Sequence, residues 1–130
     1  MSDRKTADSI NNLAICLYYK KDYEKAESLY QQALDIYREI VGTHHHLTAN
    51  AMDNLSVLYG VMGKLDQATD MARGALDIRI RVLGPDHIKT AQSLDNYGRK
   101  KKKKKDYEGA EHMYRKALQI WEKQYGVQHV

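Results

Sequence analysis

Residues 48–89 read TANAMDNLSVLYGVMGKLDQATDMARGALDIRIRVLGPDHIK, and the rest of the chain is built on the same unit. The pattern of small, apolar and turn residues recurs 42 residues earlier and 42 residues later, without insertions. We call the three copies repeat 1 (residues 6–47), repeat 2 (48–89) and repeat 3 (90–130), and expect them to form one repeat domain. A fixed period of this length is typical of solenoid proteins.

Matching positions in the three repeats carry residues of the same kind. They are Asn12, Asn54, Asn96; Ala26, Ala68, Ala110; Ala33, Ala75, Ala117; Leu34, Leu76, Leu118; Ile36, Ile78, Ile120; and Gly42, Gly84, Gly126. The two alanines of each repeat lie seven residues apart on one helical face, where a small side chain lets a neighbouring helix approach closely. The alanine positions therefore predict tight packing between helices.

Each repeat contains two stretches whose apolar residues recur at the i, i+3, i+4, i+7 spacing of amphipathic helices. The spacing predicts an all-α chain with six helices, over residues 6–20, 23–41, 47–62, 65–83, 89–101 and 107–125. Asp22 and Asp106 are placed to cap the second helix of their repeats. Gly42, Gly84 and Gly126 are expected to end the second helices, because glycine accepts a positive φ at low cost.

The pattern of repeat 2 resembles the tetratricopeptide repeat family, in the 42-residue form of kinesin light chains and nephrocystin-like proteins. The resemblance rests on residues 53–59, 75–79 and 83–87 and extends over nearly the whole chain. It implies a right-handed solenoid of three antiparallel helix pairs, with the first helix of each pair lining a concave groove. It also implies a protein–protein interaction module without catalytic residues, cofactor or metal.

Carried over by position, the resemblance assigns a set of side chains to this groove. They are Asn11, Asn12, Ile15 and Tyr19 in repeat 1, Asn50, Asp53, Asn54, Val57 and Val61 in repeat 2, and Gln92, Asp95, Asn96, Arg99, Lys102 and Lys103 in repeat 3. The periodic asparagines are the most specific of these, because an amide can pair with the backbone of a peptide of any sequence. The alternative is that these amides bond within or between helices.

Repeat 3 departs from the pattern at residues 99–101, where Arg-Lys-Lys replaces the apolar residues 15–17 and 57–59 of the other repeats and begins the basic run RKKKKKK of residues 99–105. Seven of the 21 basic residues lie in this run, which leaves 14 basic residues against 17 acidic ones elsewhere. The net charge of +4 is therefore local. Three interpretations stay open: a solvated helix end, a contact for an acidic partner, and a nuclear-localisation or nucleic-acid patch. Nucleic acid is the least favoured because no aromatic platform accompanies the run.

The lysine run also affects the fifth helix. Like charges three and four residues apart oppose helix formation, so we expect the helix to weaken beyond Tyr97. Lys101 replaces a packing residue, and its stem should pack while its ammonium reaches water. Tyr97 and Tyr107 flank the run at positions that are expected in the core.

Other motifs favour structural roles. No Gly-rich phosphate loop, nucleophile elbow or cysteine pair is present, which argues against an enzyme. His45, His87 and His129 recur at the period, but matching atoms in successive repeats lie about 8–10 Å apart, too far to share a zinc ion. We expect these histidines to cap or brace the turn between repeats, and we expect Cys16 to be a buried thiol. The short apolar runs and polar N-terminus are typical of a cytoplasmic protein.

The last helix has no following repeat, so the apolar residues Tyr114, Leu118, Trp121 and Tyr125 are expected to leave an exposed end. The chain is then either a segment of a longer array or one that associates end to end. The favoured function is binding of an extended acidic peptide in the groove. The alternative is a structural spacer or self-associating segment of a larger scaffold or motor-adaptor protein.

Overall fold

The computed structural model describes residues 3–126 as six α-helices. They are Arg4–Tyr19 (α1), Tyr23–Ile40 (α2), His46–Val61 (α3), Leu65–Leu83 (α4), Ile88–Lys103 (α5) and Tyr107–Tyr125 (α6). These bounds confirm the six predicted helices to within two residues, and no strand occurs between residues 3 and 126. None of the helices in this part of the chain is long and apolar enough to cross a membrane.

Each helix packs against its neighbours in chain order. The pairs α1–α2, α3–α4 and α5–α6 form the three repeats, while α2–α3 and α4–α5 join one repeat to the next. The alanines predicted to lie between helices are all buried: Ala26, Ala33, Ala68, Ala75, Ala110 and Ala117. The fold is therefore the all-α solenoid of helix pairs that the period predicts.

The turns depend on positive backbone φ angles at fixed positions. Gly42, Gly84 and Gly126 have φ angles of 89°, 96° and 63° at the ends of α2, α4 and α6, which confirms their predicted role. The turn inside each repeat requires the same conformation, with Gly63 at 79° and Lys21 and Lys105 both at 68°. A lysine in this region is less favourable than a glycine, because its Cβ crowds the following carbonyl.

Histidine side chains cap two of the first helices. The Nδ1 atom of His45 accepts a hydrogen bond from the Leu47 amide at 3.1 Å, and Nδ1 of His87 accepts one from the Lys89 amide at 3.0 Å. These bonds satisfy amides that have no partner inside the helix. The predicted capping role is confirmed for both residues, while His129 lies outside the described residues.

The two predicted aspartate caps differ from each other. Asp106 accepts a hydrogen bond from the Gly109 amide at 3.0 Å, as expected of an N-cap. Asp22 occupies the same position before α2, but its side chain makes no capping bond. It lies 3.7 Å from the Lys25 ammonium instead.

The fifth helix is longer than its charge predicts. It continues through Lys103, two residues beyond its predicted end, and has the same length as α1 and α3. That its lysine end is less stable than the corresponding part of α3 stays a prediction, which amide hydrogen exchange would test. Two lysines of the basic run form salt bridges: Lys101 Nζ lies 3.2 Å from an Asp106 carboxylate oxygen, and Lys104 Nζ lies 2.8 Å from an Asp66 carboxylate oxygen. Cations also suit the negative end of a helix.

Lys101 behaves as its position predicts. Its side chain is half-buried, and its ammonium lies 4.9 Å from the centre of the Tyr97 ring while reaching Asp106 at the surface. The stem therefore packs and the charge stays near water.

Exposure changes at the two ends of the solenoid. Leu13 in α1 is 52% exposed, whereas the matching Leu55 in α3 is fully buried. Cys16 is exposed and Tyr107 is 62% exposed, so the predictions that they are buried need correction. The reason is the same in each case: among residues 3–126, no helix precedes α1 and none follows α6.

Candidate functional site

Most of the side chains predicted for the groove lie on one ridge of each first helix. Spacings of seven and four residues place them in line along α1, α3 and α5. We call them the first-helix surface: Ile15 and Tyr19 in α1, Asn50, Val57 and Val61 in α3, and Gln92, Arg99 and Lys103 in α5. All are exposed except Ile15, which is half-buried. These side chains form a continuous set that a bound peptide could touch.

A depression of about 280 Å³ opens between α1 and α3. It is lined by Ile15, Tyr18, Tyr19, Tyr30, Asn54 and Val57. Burial raises the pKa of Tyr30 to about 12, with smaller contributions from Tyr18 and Tyr19, so its hydroxyl stays neutral at physiological pH. The depression therefore offers apolar walls, tyrosine hydroxyls and one amide.

Tyr18 and Tyr30 were not among the side chains predicted for the groove. Tyr18 matches Gly60 in repeat 2, so periodic comparison gives no sign of an aromatic wall there. Tyr30 recurs as Tyr114 but is replaced by Ala72 in repeat 2. Only the positions of neighbouring helices bring these rings to the depression.

We call the periodic asparagines Asn12, Asn54 and Asn96 the asparagine ladder. Two of the three, Asn54 and Asn96, form hydrogen bonds to another repeat. Asn54 Nδ2 donates to Asn11 Oδ1 at 3.4 Å, and Asn96 Nδ2 donates to Asp53 Oδ1 at 3.2 Å. Asn11 and Asn96 are buried, and the Asp53 side chain is 16% exposed. The assignment of Asn11, Asp53 and Asn96 to the groove therefore needs correction.

Helix geometry explains the difference. Adjacent residues on a helix point about 100° apart. Asn11 and Asp53 occupy the same repeat position and point toward the following repeat. Asn54 and Asn96 occupy the next position of the repeat and point toward the preceding repeat. Asn12 is exposed because no repeat precedes it among the described residues. Half-buried Asn54 still borders the depression.

The bond between Asn96 and Asp53 belongs to a buried polar network that joins α3, α4 and α5. Arg79 Nη1 lies 2.6 Å from Asp53 Oδ2, and Ser93 Oγ donates to the same oxygen at 3.0 Å. Arg79 is 4% exposed. Burial raises the pKa of Asp53, and the Arg79 guanidinium is the largest influence in the opposite direction.

Lys100 joins this network from α5. It is buried at the position where repeat 2 carries the fully buried Leu58, and its Nζ donates to Asn96 Oδ1 at 3.1 Å. Gly60 gives it room, since a Cβ there would lie 3.4 Å from both Cε and Nζ of Lys100. Burial lowers the pKa of Lys100, and the charges of Arg99 and Lys103 act in the same direction.

We expect Lys100→Met to raise the free energy of unfolding by less than about 1 kcal/mol near neutral pH, because methionine fills the site without a buried charge, a gain that the lost hydrogen bond to Asn96 Oδ1 partly offsets. The pKa of Lys100 is lowered from 10.5, so its charge costs stability at neutral pH and this cost disappears as the pH rises toward 10.5. The advantage of the variant should therefore shrink with rising pH. Urea unfolding at a series of pH values measures this.

The matched control is Lys103→Met, which changes an exposed lysine on the same helix and should leave the stability unchanged. An advantage of Lys100→Met that stays constant as the pH rises would contradict a buried ammonium.

The basic residues of the run divide between two faces. Lys103 is exposed, and its Nζ lies 4.0 Å from the place where a Cβ on Gly60 would be, so it leans toward α3. Arg99 is exposed, and its Nε atom lies 3.5 Å from Asp95 Oδ2 on the same helix. Lys102 lines a different depression beside Tyr107, so its groove assignment needs correction. It matches Tyr18 and Gly60, a position that faces the following repeat.

Comparisons with known proteins concern the family and the fold of the chain. A family model described as tetratricopeptide repeat matches residues 5–73 and 58–123. The crystal structure of BtubC from P. vanneervenii is similar at a TM-score of 0.90 with 28% identity, covering 98% of this chain and 51% of that one. The chain thus spans about half the length of that protein's structure.

Two further structures share the fold at lower identity. The TPR-like repeats of a putative kinesin light chain from Podosopora anserina match at a TM-score of 0.84 and 16% identity, over 96% of this chain and 59% of that one. The N-terminal domain of stress-induced protein-1 from C. elegans matches at 0.73 and 17%, over 92% and 88%. No curated protein sequence matches the chain.

Proposed function

The chain belongs to the tetratricopeptide repeat family, and we propose that it is a non-enzymatic interaction module that binds an extended acidic segment of a partner protein along its first-helix surface. The observation that carries the proposal is the charge of α5 at this surface. Arg99 and Lys103 are both exposed there, and Lys103 makes no ion pair with any carboxylate in residues 3–126. An acidic side chain would supply the missing partner.

Other residues of the first-helix surface support contacts that do not depend on charge. The exposed amides of Asn50 and Gln92 can each donate and accept hydrogen bonds with an extended backbone. Val57 and Ile15 provide apolar contact beside the depression between α1 and α3. Asn54 takes the role first assigned to the whole ladder, because it alone among the three borders this depression.

Neutralising the two groove cations should weaken acidic-peptide binding about tenfold at low salt, because each would lose a charge contact. The variant is Arg99→Gln with Lys103→Gln. The probes are fluorescein-labelled pools of extended Asp/Glu-rich peptides and matched Asn/Gln-rich pools, titrated by anisotropy at two salt concentrations. The difference between wild type and variant should shrink at high salt.

The control variant is Lys5→Gln with Lys116→Gln, which removes the same net charge from exposed positions outside the first-helix surface. It should bind as the wild type does. Equal binding of acidic and uncharged pools, or equal weakening by both double variants, would remove Arg99 and Lys103 from the site. Lys100 is left intact in every variant because it is buried.

The second candidate function is a spacer or self-associating segment of a larger scaffold. The exposed outer side of α6, where Leu118 is 46% exposed, favours this candidate. It involves a different surface from the groove, so the two functions are compatible.

A further inference from the structure

The outer side of α6 carries a stripe of large side chains that are exposed or half-buried. We call it the α6 stripe: Tyr107, Glu111, Tyr114, Leu118, Trp121 and Tyr125. Leu118 is 46% exposed, whereas the matching residues Leu34 and Leu76 are 0% and 6% exposed. In repeats 1 and 2 these positions are covered by the first helix of the next repeat. The α6 stripe is therefore one half of an inter-repeat interface.

The other half lies at the opposite end of the solenoid. We call it the α1 face, and its residues are Thr6, Ser9, Asn12, Leu13 and Cys16, all of them exposed. The residues that match them in α3 and α5 are buried or half-buried, because a preceding repeat covers them. The two ends thus correspond to the two sides of the interfaces inside the chain.

The interface between repeats 2 and 3 is the template for how such halves pair. Asp53 accepts hydrogen bonds from Ser93 at 3.0 Å and from Asn96 at 3.2 Å. Thr90 Oγ1 donates to the carbonyl of Gly84 at 2.8 Å, closing the same interface at its edge.

The exposed first and last helices of the described residues carry the same residue types at the same repeat positions. The acceptor side, on repeat 3, offers Asp95 and Gly126, which match Asp53 and Gly84. The donor side on α1 offers Thr6, Ser9 and Asn12, which match Thr90, Ser93 and Asn96. Each of these three bonds therefore has residues of the same types available, one on each end.

We propose that a second copy of this chain docks its α1 face on the α6 stripe, so that the repeats continue in register from one molecule to the next. Ser9 and Asn12 of the second copy bond to Asp95, and Leu13 packs against Leu118. The contact uses different surfaces on the two molecules, so each new molecule leaves a free end and growth continues.

Two polar positions of the acceptor side differ from the template. Gly98 matches Ser56, so the hydrogen bond from Asn96 to Ser56 Oγ has no counterpart at the junction. Trp121 stands where repeat 2 carries Arg79, so the buried guanidinium has no counterpart at the junction between molecules. The cation nearest to Asp95 is Arg99 on its own helix, at 3.5 Å. The junction is accordingly expected to be weaker than the interface inside the chain and to form as the concentration rises.

Sedimentation velocity of the full chain over a concentration series tests the proposal. The wild type should show a sedimentation coefficient that rises with concentration, while Leu118→Glu and Leu13→Glu should each stay monomeric. Val82→Glu is the matched control, since Val82 is 43% exposed on the middle repeat, and it should behave as the wild type. Circular dichroism checks that each variant keeps its helices.

Mixing the two variants gives the decisive result. Leu13→Glu keeps an intact α6 stripe and Leu118→Glu keeps an intact α1 face, so an equimolar mixture should form a species of two chains and nothing larger. Dimers of Leu13→Glu alone would show that two α6 stripes meet, and would overturn the proposal. A wild type that stays monomeric at every concentration would also overturn it, leaving the stripe to a fourth repeat or to another protein.

Discussion

Arg79→Met is expected to lower the free energy of unfolding by about 3–5 kcal/mol, because it leaves the Asp53 carboxylate buried without its cation. Arg79 Nη1 lies 2.6 Å from that carboxylate and also donates to Ser93 Oγ at 2.8 Å, so one substitution removes bonds to both α3 and α5. Chemical unfolding in urea, followed by circular dichroism, measures the loss.

The loss should depend on pH in a defined direction. Burial already raises the pKa of Asp53, and removing Arg79 takes away the main opposing influence. A carboxyl whose pKa is raised on folding destabilises the fold above that pKa, and the effect is relieved as the pH falls toward the ordinary value of 3.8. The difference between Arg79→Met and the wild type should therefore narrow in acid.

Two further variants separate the buried pair from a general loss of charge. Arg81→Met removes an exposed arginine two residues away and should change the stability by less than about 0.5 kcal/mol. Adding Asp53→Asn to Arg79→Met should recover part of the loss, since the amide keeps hydrogen bonds without the charge. A double variant less stable than Arg79→Met would contradict an unpaired buried carboxylate.

Leu34→Ala and Leu118→Ala should differ widely although the two leucines occupy the same repeat position. Leu34 is fully buried, so its truncation should cost about 2–5 kcal/mol through lost burial and a cavity. Leu118 is 46% exposed, so its truncation should cost less than about 1 kcal/mol. Thermal and urea unfolding of both variants measure the difference.

These measurements are best made in a Leu13→Glu background, which is expected to prevent association between molecules. Equal losses in that background would mean that Leu118 is covered in solution by part of its own chain. If Leu118→Ala lowers the free energy of unfolding only when the α1 face is intact, the result would agree with end-to-end docking.

The helices were predictable because local signals agree with one another. Apolar spacing, positive-φ glycines and the periodic histidines each mark a helix or its end without reference to other parts of the chain. Gly84 ends α4 and His87 caps α5, as the pattern indicates. Such features depend on residues within one or two turns, which the sequence contains directly.

The candidate site was predictable only in part, because it depends on how helices are rotated against each other. The ridge of Val57 and Arg99 follows from helical spacing, but Asp53 and Asn96 differ from it by a fraction of a turn and lie inside the interface. Sequence comparison marked Lys101 as the lysine at a packing position, whereas the more deeply buried one is Lys100. Its partner Asn96 is recognisable only once both helices are in place.

Periodic comparison also treats the three repeats as equivalent, whereas burial depends on which neighbours each repeat has. Leu13, Cys16 and Tyr107 occupy positions that are covered in the interior of the solenoid, yet all three are exposed. Matching residues therefore predict the same backbone position and not the same environment.

The hydrogen bonds between successive first helices have a consequence for folding. Asn54–Asn11 and Asn96–Asp53 each join residues 43 positions apart, one repeat plus one residue. Each bond therefore closes a loop of the same moderate length, so its entropic cost does not grow with the number of repeats. Folding can start in the middle repeat and spread outward, with α1 and α6 the first to open. Whole repeats can be added or removed by gene duplication or deletion without changing the register of those that remain.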